Sequence, residues 1–142
     1  MKYIIQTSNL DFQYSKNKKI LNNLSINVPK GSIYGFLGPN GAGKSTTMRL
    51  LTGIIPDDSN SIFLFEKPIE SQIPNIFEKV GALVESPALY LHLSGYDNVK
   101  YIALLRQVPL SKIDEVLELV DLTAHKRQKA KQYSLGMKQR LA

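Results

Sequence analysis

Gly38-Pro39-Asn40-Gly41-Ala42-Gly43-Lys44-Ser45 follows the spacing G-x-x-x-x-G-K-[ST]. Each residue type in that order suits one task, holding a polyphosphate. Several negative charges must be stripped of water and surrounded by donors. Successive backbone N–H groups can encircle them only where the chain curls tightly, which glycine permits at positive φ. A helix starting near Lys44 would add its partial positive N-terminus. Lys44 brings a full charge to the β and γ phosphates, the Ser45 hydroxyl suits Mg²⁺, and Thr46, next in the helix, is a further nucleotide-binding candidate. The plain alternative is a glycine-rich turn before a helix. A second segment, Ser134-Leu135-Gly136-Met137-Lys138-Gln139, joins a hydroxyl to a glycine at an expected helix start. By itself Ser-x-Gly is a common turn.

Elements must position these residues. Tyr3-Ile4-Ile5 reads as a short strand, and Asn22-Asn23 as turn residues. Leu24, Ile26 and Val28 alternate with polar neighbours, the period of a half-buried strand. Pro29-Lys30-Gly31 is a turn, and Ile33-Tyr34-Gly35-Phe36-Leu37 is expected to be a buried strand leading into the glycine loop. A helix runs from Lys44 through Leu51, with Gly53 as its stop. Asp57 to Asn60 is a polar turn, while 61–65 and 80–84 are β-prone. Ser94-Gly95-Tyr96-Asp97 and Ser111-Lys112-Ile113-Asp114 both fit a capping box with Asp in place of Glu. Behind the second box, Ile113, Val116, Leu117 and Val120 mark one apolar helix face. The order of strands, glycine loop, helix, strand and further helices gives an α/β architecture with a helical insertion.

The composition narrows the class. With 142 residues, 43% of them hydrophobic and 21% charged, the chain can bury a core and is not disordered. It has no cysteine, which removes disulfides and thiolate metal sites. His92 and His125, its only histidines, lie far apart. No apolar run is long enough to span a membrane, and the N-terminus does not read as a signal peptide. The net charge of +6 invites a nucleic-acid partner. However, all of the excess lies within 122–142, as Lys126, Arg127, Lys129, Lys131, Lys138 and Arg140. These cations read most simply as a solvated helical surface, and no nucleic acid is expected.

Together the loop and the later segment resemble the ATP-binding subunit of an ABC transporter. Gly38–Ser45 is similar to that family's Walker A motif. Ser134–Gln139 resembles its signature, commonly written L-S-G-G-Q, in a variant where Met-Lys replaces Gly-Gln and Gln follows. The likeness runs from about Tyr3 to Ala142. It implies a P-loop NTPase core with an N-terminal antiparallel β region (about 1–85) and a helical subdomain (about 86–142). It implies ATP and Mg²⁺ as cofactors. It also implies a head-to-tail dimer in which Ser134, Leu135, Gly136, Met137, Lys138 and Gln139 cap the γ-phosphate held by the partner's loop. Tyr14 corresponds to an aromatic that stacks on adenine, with an ordinary surface or core tyrosine as the alternative. Phe12 is its neighbour, and alternation with Leu10 places Phe12 in the core.

Departures from the family carry the narrower expectation. Glu85 stands where the family usually has glutamine, in a loop reaching the Mg²⁺ region and the membrane partner. A carboxylate remains an oxygen ligand, so Lys44 and Glu85 are the catalytic candidates and Ser45 and Glu85 the metal candidates. The alternative for Glu85 is a simple loop cap. Glu85-Ser86-Pro87-Ala88-Leu89-Tyr90 resembles the branch exporting lantibiotics and bacitracin-type antibiotics for self-protection. Asn60 and Glu66 replace glycines of relatives around the small β region. The resemblance further implies a later strand ending in Asp and Glu, and a switch histidine. These residues are therefore expected to be the N-terminal part of a longer product, cut before that strand, leaving sheet edges unpaired near 33–37 and 80–84. Efficient hydrolysis by these residues alone is not expected. The expected role is an ATPase subunit at the inner face of the cell membrane, powering export through permease subunits. A DNA- or ribosome-associated ABC-type ATPase is the alternative.

Overall fold

The computed structural model describes residues 3–16, 18–57, 59–84 and 86–142. Their contacts divide the chain into two compact units, Met1–Val84 and Glu85–Ala142.

The first unit is built on a long antiparallel pair, β1 (Tyr3–Ser15) and β2 (Lys18–Pro29). Helix α1 (Lys44–Leu51) follows, then the short strands β3 (Ile62–Leu64) and β4 (Lys67–Pro68). The strand order is β2-β1-β3-β4, each pair antiparallel. Leu10, Leu21, Ile62 and Leu64 project from the sheet onto Leu50 and Leu51 of α1, with Ile69 and Ile76 closing the cluster. The helix stops where expected. Gly53 takes φ 65° and its N–H returns to the Leu50 carbonyl at 3.0 Å.

Both long strands exceed their expected lengths because irregularities are absorbed within them. Asn22-Asn23 is not a turn. It lies inside β2, and the chain reverses between Ser15 and Lys18 instead. Asn23 takes the left-handed region at φ 53° and donates its N–H to the Asp11 carboxylate at 2.6 Å. The Lys19 ammonium, 2.8 Å away, and then that N–H hold the Asp11 carboxyl below its usual range. The ladder slips between Thr7 and Leu10, and there the buried Thr7 hydroxyl substitutes for backbone. It donates to the Leu24 carbonyl at 2.9 Å and accepts from the Ile26 N–H at 3.0 Å.

Two expected strands are not formed. Residues 33–37 form no ladder among the described residues, Ile33 is fully exposed, and Leu37 is 92% exposed. Residues 80–84 likewise form no strand. An apolar run becomes a buried strand only when neighbours satisfy both its edges and cover both its faces. No described strand pairs with either segment. Residues 80–84 instead line an open apolar groove of about 420 Å³ with Ile4, Met48, Leu51 and Phe65.

In the second unit, α2 (Gly95–Leu105), α3 (Lys112–Leu119) and α4 (Leu135–Leu141) surround Ala103, Ile113, Leu117, Leu122 and Tyr133. Ser94 caps α2 as expected, its Oγ accepting the Asp97 N–H at 3.0 Å. Ser111 does not cap α3. Its backbone is already helical (φ −59°, ψ −20°), and the N–H groups of Lys112 and Ile113 go to Pro109 and Leu110 carbonyls. A side-chain cap needs an extended residue at that position. The expected apolar face of α3 is also narrower, since Val116 is exposed while Ile113 and Leu117 are buried.

Thr7→Val tests the hydroxyl bridge in β1. It would leave a buried N–H and a carbonyl of β2 without their partner. We expect a loss of about 2 kcal/mol of unfolding free energy in urea, and a change below about 0.5 kcal/mol would show the bridge to be dispensable.

Candidate functional site

The geometry of the glycine loop follows from Gly43. It caps α1 at φ 86°, a left-handed conformation, and it is buried against β2. A Cβ there would stand 2.5 Å from Leu21 Cδ2 and 3.2 Å from the Ile20 carbonyl oxygen. Only glycine satisfies both demands at once. Gly41 is left-handed as well, at φ 84°, and the Ala42 N–H reaches the Pro39 carbonyl at 3.2 Å, so the loop doubles back before α1 begins. The first turn of α1 has no side-chain cap and no acidic residue. Its unsatisfied N–H groups and the helix dipole therefore face an approaching anion without a competing carboxylate.

Lys44 is turned onto this loop. Its ammonium donates to the carbonyls of Gly38 and Pro39, both at 2.7 Å. Gly38, Pro39, Asn40, Gly41, Ala42 and Ser45 are exposed, and Thr46 is buried in the first turn. Thr47 stands outside the Gly38–Ser45 motif. It is fully buried, and its hydroxyl donates to the Gly43 carbonyl at 3.0 Å, pinning the residue on which the turn depends. The signal available in sequence was a hydroxyl four residues beyond Gly43, the spacing at which threonine bonds back within a helix.

Tyr14 lies in the same unit, near the end of β1, 57% exposed and edge-on to Phe12 with ring centroids 4.9 Å apart. Phe12 is half-buried against the core, as the alternation indicated. Glu85 lies outside the described residues.

Ser134 to Gln139 form the start of α4 in the second unit. Ser134 is the N-cap, its Oγ accepting the Met137 N–H at 3.2 Å. That bond uses a lone pair and leaves the hydroxyl proton available. Leu135, Gly136 and Gln139 are exposed, Lys138 is half-buried, and Met137 packs against the core cluster. Among the described residues, nothing apart from its chain neighbours and its own helix backbone lies within 4 Å of where a Cβ on Gly136 would be.

The cationic excess of 122–142 is partly consumed by the fold. Lys126 pairs with Asp114 at 2.8 Å, Arg140 with Asp121 at 3.2 Å, and Arg127 lies 5.2 Å over the Tyr96 ring.

Residues 21–142 match the protein family described as ABC transporter. The chain belongs to that family. It is 41% identical over 142 residues to the bacitracin transport ATP-binding protein BcrA of Enterococcus faecalis, covering 99% of this chain and 46% of that one. It is 44% identical over 138 residues to the lantibiotic transport ATP-binding protein SrtF of Streptococcus pyogenes, covering 97% of this chain and 58% of that one. The chain thus spans about half the length of the curated relatives it matches. The structure of cbiO1 from Clostridium perfringens, part of the ABC transporter complex cbiONQ, superposes with a TM-score of 0.78 over 99% of this chain and 59% of that one. At 24% identity that likeness establishes the ABC ATPase fold alone. Among the described residues no helix is long and apolar enough to cross a membrane.

Gly43→Ala should be among the most damaging single-methyl additions in the first unit. Left-handed strain and the collision with Leu21 together should cost about 3 kcal/mol in urea unfolding. A cost under about 1 kcal/mol would mean that the loop can form without this close approach.

Proposed function

We propose that this chain is the nucleotide-binding portion of an ABC transporter ATP-binding subunit, which couples ATP binding and hydrolysis to export of a peptide antibiotic. The observation that carries the nucleotide reading is the curled loop, with left-handed Gly41 and Gly43 opening α1 under the Lys44 ammonium. The loop amides of Gly38 to Thr46 would wrap the phosphates, and Lys44 would exchange carbonyl partners for phosphate oxygens, a stronger charge-assisted bond. Tyr14 offers an exposed aromatic face for the adenine.

The residues present fit Mg²⁺ only as a companion of the nucleotide. Among the described residues no group of three or more His, Cys, Asp or Glu could hold a metal by itself. The exposed Ser45 hydroxyl would be one ligand, phosphate oxygens and water would supply others, and Glu85 is a further candidate. When bound, the ion neutralises charge that builds on the transferring phosphoryl group. Ser134 and Gly136 would present a hydroxyl and an N–H to the ATP of a second subunit in a head-to-tail dimer. Permease subunits in the membrane would be the remaining partners, with this subunit at its inner face.

The transport reading is supported by the bacitracin and lantibiotic relatives and the loop 86–90. No observation favours a DNA- or ribosome-associated role. The DNA reading rests on the cationic tail alone, and three of those cations are engaged inside the second unit.

Lys44→Ala tests the reading at two levels. By calorimetry, MgATP binding should weaken roughly 10- to 100-fold, the worth of a lost charged hydrogen bond. In cells carrying the gene with its neighbours, the same change should restore sensitivity to bacitracin or a lantibiotic. Unchanged affinity would refute the nucleotide site. Lost affinity with unchanged sensitivity to either antibiotic class would refute the export reading.

A further inference from the structure

Tyr133 immediately precedes the signature-like segment Ser134–Gln139, and the fold makes room for its large ring at one glycine. A Cβ placed on Gly95 would collide with the Tyr133 hydroxyl and lie 3.0 Å from Cζ and 3.4 Å from Cε2. The ring is 3% exposed, and its hydroxyl donates to the His125 carbonyl at 2.8 Å. Burial pushes the phenol up from its ordinary pKa, so it stays a neutral donor. Gly95 cannot retreat from the ring. Its N–H is bonded to the Gln128 carbonyl at 3.1 Å, and the next N–H, of Tyr96, to the Lys126 carbonyl at 2.8 Å. On the other flank, Ala130 and Lys131 donate to the Leu93 and Leu91 carbonyls at 2.8 and 3.0 Å. The start of α2 and the segment before α4 are therefore stitched together around the ring.

Any intrusion at Gly95 must displace Tyr133, and the next residue along the chain is Ser134. Tyr133 and Ser134 are both extended, ψ 141° and 165°, so no helical hydrogen bond lies between the ring and the cap to absorb a shift. We propose that Tyr133 is a positioning residue whose phenol, seated on Gly95 and bonded to His125, sets where Ser134 and Gly136 meet the nucleotide of a second subunit. This rests on the reading of Ser134–Gln139 as the cap on a partner's ATP. Gly95 and Tyr133 then form a size-matched pair. A leucine at 133 would have no hydroxyl or ring carbon where the Cβ intrudes, so Ala at 95 and Leu at 133 should tolerate each other where Ala with Tyr does not.

The test is ATP-dependent association of the full-length gene product by sedimentation velocity, with wild type, Gly95→Ala, Tyr133→Leu and the double variant. Urea unfolding of each verifies folding, and Tyr133→Phe, which keeps the ring, is a milder second probe. Gly95→Ala should weaken ATP-dependent association by about tenfold or more, since small misplacements are costly where groups must converge. The double variant should associate within about threefold of Tyr133→Leu, a strongly non-additive cycle. Monomer affinity for ATP, measured below the association range, should be unchanged in all four. Wild-type association that all variants share overturns this inference alone, as does a double variant no better than the sum of its parts. A wild type that binds ATP and does not associate overturns the capping reading, and this inference with it.

Discussion

The first unit depends on one close approach. Gly43 lies against Leu21 and the Ile20 carbonyl while holding a left-handed turn that no side chain would tolerate there. From that contact α1 takes its starting point, and with it the direction in which its first-turn N–H groups point. The burial of Leu50 and Leu51 on the sheet holds the far end of the same helix. Thr47 ties the two requirements together by bonding the Gly43 carbonyl from the buried face. The proposed phosphate site and the core packing thus share the same few residues, which is why a methyl group at 43 should disturb both.

The second unit solves a different problem with a related device. Its core is small, and the segment before α4 has little regular structure of its own. Backbone hydrogen bonds from 91–96 to 126–131 and the buried phenol of Tyr133 hold that segment in place. Ser134 is then presented at the start of a short helix whose Met137 and Leu141 return to the core. The exposed side of α4 bears Leu135, Gly136 and Gln139, which leaves the cap and its glycine open to a ligand.

Much of this was legible in the residues. The glycine loop, the start and stop of α1, the Ser94 cap and strand β3 follow from local chemistry that needs no distant partner. The failures share a cause. Residues 33–37 and 80–84 have strand composition, but a strand is a pairing, and no described strand pairs with them. Asn22-Asn23 has turn composition, yet the β1–β2 ladder absorbs the left-handed Asn23 with help from Asp11. Ser111 has the spacing of a cap, but its helix begins on carbonyls upstream. Thr47, Gly95 and Tyr133 were invisible as site-supporting residues because their roles are contacts across the fold rather than patterns along the chain.

In the proposed function the N–H groups around Gly43 receive the phosphates of a nucleoside triphosphate. Amide chemical shifts of the ¹⁵N-labelled chain, titrated with MgATP and in parallel with adenosine, test it most directly. MgATP should move the amides of Gly41, Gly43, Lys44, Ser45 and Thr46 in a saturable way, while adenosine should leave them in place. Saturable MgATP shifts confined to other residues, with 41–46 unmoved, would contradict it.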